Sequence, residues 1–137
     1  MSKRSLLQKA SFIILFFLIV SCSKKEDALS YAKQMLAGKT WYLTYTILNN
    51  QTKSYINAST YSIQFKEQQK TFDSDGISGT YQVIEQNQQL QLIVQGATQT
   101  GVPANYLYQI DQIESNTLKI SYNQNGLFIQ KIFTTTH

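Results

Sequence analysis

The chain has 137 residues, with 12 Lys and Arg against 8 Asp and Glu, and single copies of histidine and cysteine. Its three earliest cations, Lys3, Arg4 and Lys9, belong to a segment expected to be removed. From residue 22 onward, 116 residues carry nine basic and eight acidic side chains, a net charge of +1 with no arginine. That excludes the clustered Lys and Arg needed to follow a phosphate backbone, so nucleic acid is not an expected partner. It also bounds the chain to one domain with a modest core.

The basic start is followed by an unbroken apolar run over residues 12–20. A positive n-region, a short apolar stretch and a small residue form the layout of a secretory signal. The run is shorter than the roughly 20 residues needed to span a bilayer. Polar interruptions, which a core helix would show, are missing. Ile19-Val20-Ser21-Cys22 resembles a bacterial lipobox. In proteins that match this pattern the cysteine is acylated, with palmitate among the chains, and becomes the mature N-terminus. A lone cysteine in an exported chain has no internal disulfide partner. Lipidation at Cys22 accounts for its solitude and its place; a free thiol on a secreted protein is the rival reading. Two or three acyl chains hold a membrane firmly, where one holds marginally. Ser23-Lys24-Lys25-Glu26-Asp27 then reads as a solvated tether. Lys25-Glu26-Asp27 also resembles the export signal after the cysteine in surface lipoproteins of Bacteroidetes-type bacteria. The expected organisation is a signal peptide over 1–21, a lipidated tether over 22–27 and a folded domain over 28–137. The location it implies is the outer membrane, on the periplasmic face or at the cell surface.

Residues 28–37 predict a short helix: Leu29, Ala32 and Leu36 share one face. Asp27 suits the N-cap and Gly38 the stop. Alternating segments follow. Residues 41–47 put Trp41, Leu43, Tyr45 and Ile47 on one face. Residues 61–65 do the same with Tyr61, Ile63 and Phe65. A short strand near Thr71 and Phe72 leads into the turn cluster Asp73-Ser-Asp-Gly76. Residues 79–85 group Tyr81 and Val83; 89–95 group Leu90, Leu92 and Val94. Residues 105–112 group Tyr106, Tyr108 and Ile110; 117–122 group Leu118, Ile120 and Tyr122. Asn125-Gly126 is a hairpin signal. The last strand, 127–134, has ambiguous parity, because Leu127 and Ile129 compete with Phe128 and Ile132. Eight short period-2 segments with short links argue for an all-β sandwich or barrel. A meander of eight can remove its edges by closing. The expected fold is an eight-stranded antiparallel up-and-down barrel with a short N-terminal helix.

Three segments carry a family resemblance. Leu36-Ala-Gly-Lys-Thr-Trp-Tyr-Leu43 joins a helix, a glycine stop and a tryptophan opening the first strand. Phe72-Asp-Ser-Asp-Gly76 is followed by Gly79-Thr-Tyr81. Tyr108-Gln-Ile-Asp-Gln-Ile-Glu-Ser-Asn-Thr-Leu-Lys-Ile120 ends in an N-T-L turn and strand. In order and spacing these resemble the lipocalin-like lipoproteins of Bacteroidetes, across residues 28–134. The resemblance implies a lipocalin-like barrel. Two features depart from lipocalins proper. Gly38-Lys-Thr-Trp41 is one residue longer than G-x-W, and the arginine that packs over that tryptophan has no counterpart. Lys131, in the last strand, is the expected substitute through its stem and charge.

Little supports catalysis. The histidine is residue 137, at the C-terminus, and the cysteine is the expected anchor. No Ser/His/Asp set, C-x-x-C or phosphate loop can be assembled, so no enzyme and no cofactor are expected. Asp73-Ser-Asp75-Gly76 resembles half a calcium loop, but position 12 falls on Ile84, where the loop needs a bidentate Glu, so a β-turn without metal is expected. Binding is the better class. An eight-stranded barrel encloses room for packed side chains or one small ligand. The candidate ligand-binding residues are Trp41, Tyr45, Tyr61, Phe65, Tyr81, Tyr106, Tyr108 and Tyr122. Six tyrosines on inner faces are many for a plain core, because each buried hydroxyl needs a partner. Either they form the core, or they line a cavity for a small hydrophobic or amphipathic molecule. The alternative class is a surface module with a filled barrel, facing glycans or outer-membrane proteins. It would use Tyr31, Tyr42 or Tyr55 and the Gln86, Gln88, Gln89, Gln91 and Gln95 face.

Overall fold

A computed structural model describes residues 27–58 and 61–136. The expected signal peptide over 1–21, Cys22, the expected tether up to Glu26, and His137 lie outside the described residues.

Helix α1 runs Ala28–Leu36. The Asp27 carboxylate accepts the Leu29 amide at 3.4 Å, capping the start. Ala32 and Leu36 are fully buried, so the apolar stripe docks as its spacing predicts. Gly38 then turns the chain with φ +73, which glycine adopts freely, and its amide donates to the Phe65 carbonyl.

Nine strand segments follow: β1 Lys39–Leu48, β2 Gln51–Ser54, β3 Ser62–Phe65, β4 Lys70–Asp73, β5 Ser78–Gln86, β6 Gln89–Ala97, β7 Pro103–Ile113, β8 Thr117–Gln124 and β9 Leu127–Thr134. Every pairing is antiparallel, and β1 pairs with β9 to close the ring. The nine segments occupy eight positions. β2 pairs with residues 45–48 of β1, and β3 with residues 39–42 along the same edge. β2 and β3 are thus one interrupted strand, and the molecule is a closed eight-stranded antiparallel barrel with one short N-terminal helix. Three hairpins turn on two residues with positive φ: Asn49-Asn50, Asn87-Gln88 and Asn125-Gly126. That backbone matches the twist of the flanking strands. Where β5 crosses β6, Gly79 faces Gly96, and a Cβ on Gly79 would overlap the Gln95 carbonyl. The crossing is therefore closed to any larger residue.

Two irregularities set the interior. In β1 the register shifts between Leu43 and Tyr45, leaving Thr44 as the extra residue of a bulge. Its buried hydroxyl donates to the Ile132 carbonyl at 2.9 Å. Leu43 pairs with Phe133 inside, but Tyr45 then pairs with Ile132 on the outer face and Thr46 with Lys131 on the inner. The expected common face for Trp41, Leu43, Tyr45 and Ile47 therefore breaks at Thr44. In β7 a second shift isolates Asp111. The parity of β9 is also resolved: Phe133 pairs with Leu118 and Lys131 with Ile120, so Ile129, Lys131 and Phe133 face inward.

The core is lopsided. Trp41, Phe65, Phe133, Leu36, Leu92 and Leu118 are the largest fully buried side chains. They fill the half of the barrel next to α1, which packs on β5 and β7. Lys39 ties this end by donating to the Ser115 carbonyl at 2.8 Å. Helix and barrel share one core drawn from residues between 29 and 133.

Candidate functional site

The opposite half is hollow. A cavity of about 730 Å³ opens at the end formed by the β1–β2, β4–β5, β6–β7 and β8–β9 turns. Its origin is a parting of two strands. The β7–β8 ladder covers only Gln109–Ile113 against Leu118–Ser121. β7 nevertheless stays paired with β6 back to Pro103, and β8 stays paired with β9 out to Gln124. The two hairpins diverge and leave a notch in the wall. Residues of both parities line it: Asn105, Leu107 and Gln109 from the outer face of β7, Tyr106 and Tyr108 from the inner.

Four of the eight ligand-binding candidates meet here: Tyr61, Tyr106, Tyr108 and Tyr122. Tyr106 and Tyr108 stack with ring centroids 5.7 Å apart, and Tyr108 meets Tyr122 edge-on at 5.3 Å. The other four are elsewhere. Trp41 is buried in the filled half, and its indole N–H has no hydrogen-bond partner among the described residues. Phe65 and Tyr81 pack edge-to-face at 4.9 Å, and the Tyr81 hydroxyl donates to the Lys66 carbonyl. Tyr81 also borders a shallower depression of about 270 Å³ beside α1. Tyr45 sits on the outer face, for the reason given by the Thr44 bulge.

Asp73 organises one wall. One carboxylate oxygen accepts the Asp75 and Ile77 amides at 3.0 and 2.9 Å; the other accepts the Tyr61 hydroxyl at 3.1 Å. The Asp73-Ser-Asp-Gly76 cluster is a turn closed by its own first side chain, and no group of metal-ligating residues forms among the described residues. Burial, reinforced by the Asp73 charge, pushes the Tyr61 hydroxyl far above the ordinary tyrosine value. Burial does the same to Tyr108, with Tyr122 and Tyr106 adding to it. Both phenols are neutral donors at physiological pH. Thr71 lies at the floor, beside a void of about 10 Å³ that shares Tyr61, Asp73, Tyr106 and Tyr108 with the cleft. Its buried hydroxyl has no partner among the described residues.

Lys131 was absent from the candidates, and its place corrects one expectation. Its ammonium stands 5.6 Å from the ring centroids of both Tyr61 and Tyr122. The cation over Trp41 is instead Lys39, at 5.7 Å. Lys39 precedes the tryptophan by two residues on the strand that opens the barrel, so Lys131 is free to face the cavity. Burial lowers the Lys131 pKa, while Asp75 and Asp73 oppose that shift. The only sequence signal for this residue was a lysine at an inward position of β9, hidden by the ambiguous parity.

Of the aromatics proposed for an external surface, Tyr31 is exposed, while Tyr42 and Tyr55 are half-buried. Gln86, Gln88, Gln89 and Gln95 are exposed, and Gln91 lines the cleft. Around the open end, Leu48, Ile56, Val102, Leu107, Leu127 and Phe128 leave apolar surface in solvent. No protein-family model, no curated protein and no solved structure matches this chain.

Proposed function

We propose that this protein is a lipid-anchored lipoprotein of the cell envelope, of the lipocalin-like type, whose barrel binds a small amphipathic ligand. The anchor is Cys22, and the location is the outer membrane. The observation that carries the binding reading is the asymmetry of the barrel. One half is packed by Trp41, Phe65, Leu92, Leu118 and Phe133, and the other holds a cavity of about 730 Å³ walled by four tyrosines. A barrel serving only as a scaffold would gain by filling that space, since apolar burial is its main source of stability. The size lies within the range of small-molecule sites, and the lining sets four tyrosine rings among amides, two carboxylates and one lysine. Rings, amides and one cation suit a molecule with an apolar body and a polar head better than a plain hydrocarbon.

Native mass spectrometry of residues 23–137, purified gently from the producing cell, tests this. A reproducible added mass that disappears on denaturation is the expected result. Several preparations without one would remove the container reading.

The second reading, a surface interaction module, is favoured by the apolar rim at the open end. Leu107 and Phe128 are more than half exposed there, and such patches mark docking sites when contiguous. Cross-linking in intact cells that captures one outer-membrane protein through the rim would support it.

A further inference from the structure

We infer that the cleft selects amphipathic ligands with a single anionic head group, a carboxylate for preference, which the Lys131 ammonium engages between Tyr61 and Tyr122. This rests on the ligand-binding reading above and names the class of molecule bound.

Lys131 contacts no hydrogen-bond acceptor among the described residues. An ammonium has three donors. Here two tyrosine rings flank it at 5.6 Å, and no described residue pairs with it as an ion. Ring faces attract a cation but supply no lone pair at hydrogen-bond distance. The Lys131 donors face the open cleft, where an anionic head group can accept from them in place of solvent. The neighbouring carboxylates do not accept from them. Asp73 spends its oxygens on Tyr61 and two backbone amides, and Asp75 lies exposed on the turn. Both are close enough to favour the protonated lysine without touching it.

Lys131 is the one cationic side chain among the described residues lining the cleft. The register sets it inside the wall, opposite Ile120 and Thr46, rather than at the rim. A head group that reached it would lay the rest of its molecule along the stacked Tyr106 and Tyr108 and out past Leu107 and Phe128. Lys131 therefore defines the charged end of the site, and the strand notch, lined by tyrosine rings, Leu107 and amides, defines the exit. Asp73 and Asp75 line the same cleft and repel an incoming anion, which limits the preference. A charge-assisted hydrogen bond less that repulsion leaves a gain of about tenfold over an uncharged head.

The test uses residues 23–137 and the neutral dye N-phenyl-1-naphthylamine, whose fluorescence rises in an apolar cavity. Decanoate and decan-1-ol compete for it with equal tails and different heads. The expected result is displacement by decanoate at about tenfold lower concentration than by decan-1-ol. In Lys131→Met the preference should be lost or reversed, because only the repulsion from Asp73 and Asp75 remains. Lys131→Arg should keep the preference, as should Lys119→Met, which removes a lysine from the outer face. Circular dichroism verifies the fold of each variant. Equal displacement from the parent protein, or a preference that survives in Lys131→Met, overturns the head-group assignment and leaves the container reading intact. If neither dye nor competitors bind, by fluorescence or by saturation-transfer NMR, the container reading falls and this inference falls with it.

Discussion

Ser121 donates its hydroxyl to the Asp111 carboxylate at 3.0 Å, at the last paired register before β7 and β8 separate. The second Asp111 oxygen accepts from the Gln130 side chain at 2.8 Å. One bulged residue thus clamps three adjacent strands at the lower edge of the notch. Above that clamp the wall is open; below it the barrel is closed. Asp111→Ala should cost about 2 kcal/mol, because two hydrogen bonds to a charged acceptor are lost and the buried Ser121 hydroxyl is orphaned. Urea unfolding measures the loss. Hydrogen exchange should speed up in residues 118–124 more than in β5 and β6, showing that the notch has lengthened.

Asp73 does comparable work at the opposite wall. It is buried, and its three accepted hydrogen bonds join the 73–77 turn to Tyr61. Asp73→Ala should destabilise the barrel by about 3 kcal/mol, since two backbone amides and a phenol lose a charged acceptor together. Asp73→Asn keeps one acceptor oxygen and should cost less than half of that. Thermal unfolding of the two variants side by side checks the order. Equal losses would mean that the turn, and not the carboxylate, carries the stability.

Alkaline pH should weaken the fold through the tyrosines. Tyr61, Tyr81, Tyr108 and Tyr122 all have hydroxyl pKa values raised by burial. As pH passes about 10 the unfolded chain releases these protons and the folded chain keeps them. The unfolded state then binds fewer protons, so stability falls as pH rises. The contribution is whole below about pH 10 and is lost progressively above it. Chemical denaturation across that range should show the decline, and Tyr61→Phe with Tyr108→Phe should flatten it.

Lys131 should titrate in the other direction. Reductive methylation with carbon-13 formaldehyde gives each lysine its own NMR probe, and the Lys131 signal should move at a pH below the ordinary lysine value. Its burial disfavours the charged form, so this group adds stability as pH rises through its folded pKa toward about 10.5. Asp75→Asn should push the titration lower still, because the Asp75 charge opposes the burial effect.

The strands were legible because most are half-buried, and a pleated strand with one wet face alternates apolar and polar residues. β2 escaped notice because Gln51–Ser54 is exposed throughout and has no apolar face to reveal it. The bulges at Thr44 and Asp111 carry no residue type that announces them. Yet the first turned Tyr45 outward and brought Thr46 onto the inner face, opposite Lys131. The site was half visible. The tyrosine count pointed to Tyr61, Tyr106, Tyr108 and Tyr122, but period 2 cannot tell the filled half of a barrel from the hollow half. Trp41, Phe65 and Tyr81 therefore looked the same as the residues of the cleft. Lys131 was hidden by the opposite rule, since a lysine facing inward makes its strand read as irregular.

The helix packed across the filled end fixes where a tether could leave the domain. Under the proposed lipidation, residues 22–27 span at most about 20 Å from the anchor to Asp27. A strand as long as the ten-residue β1 runs about 33 Å. The leash is too short to fold back along the barrel and hold its far end to the bilayer. The domain would then stand on its plugged base like a cup on a table, with its mouth turned away from the leaflet that holds it. Its cargo would be handed over across the aqueous gap, to or from whatever faces the membrane, rather than drawn from the lipids beneath.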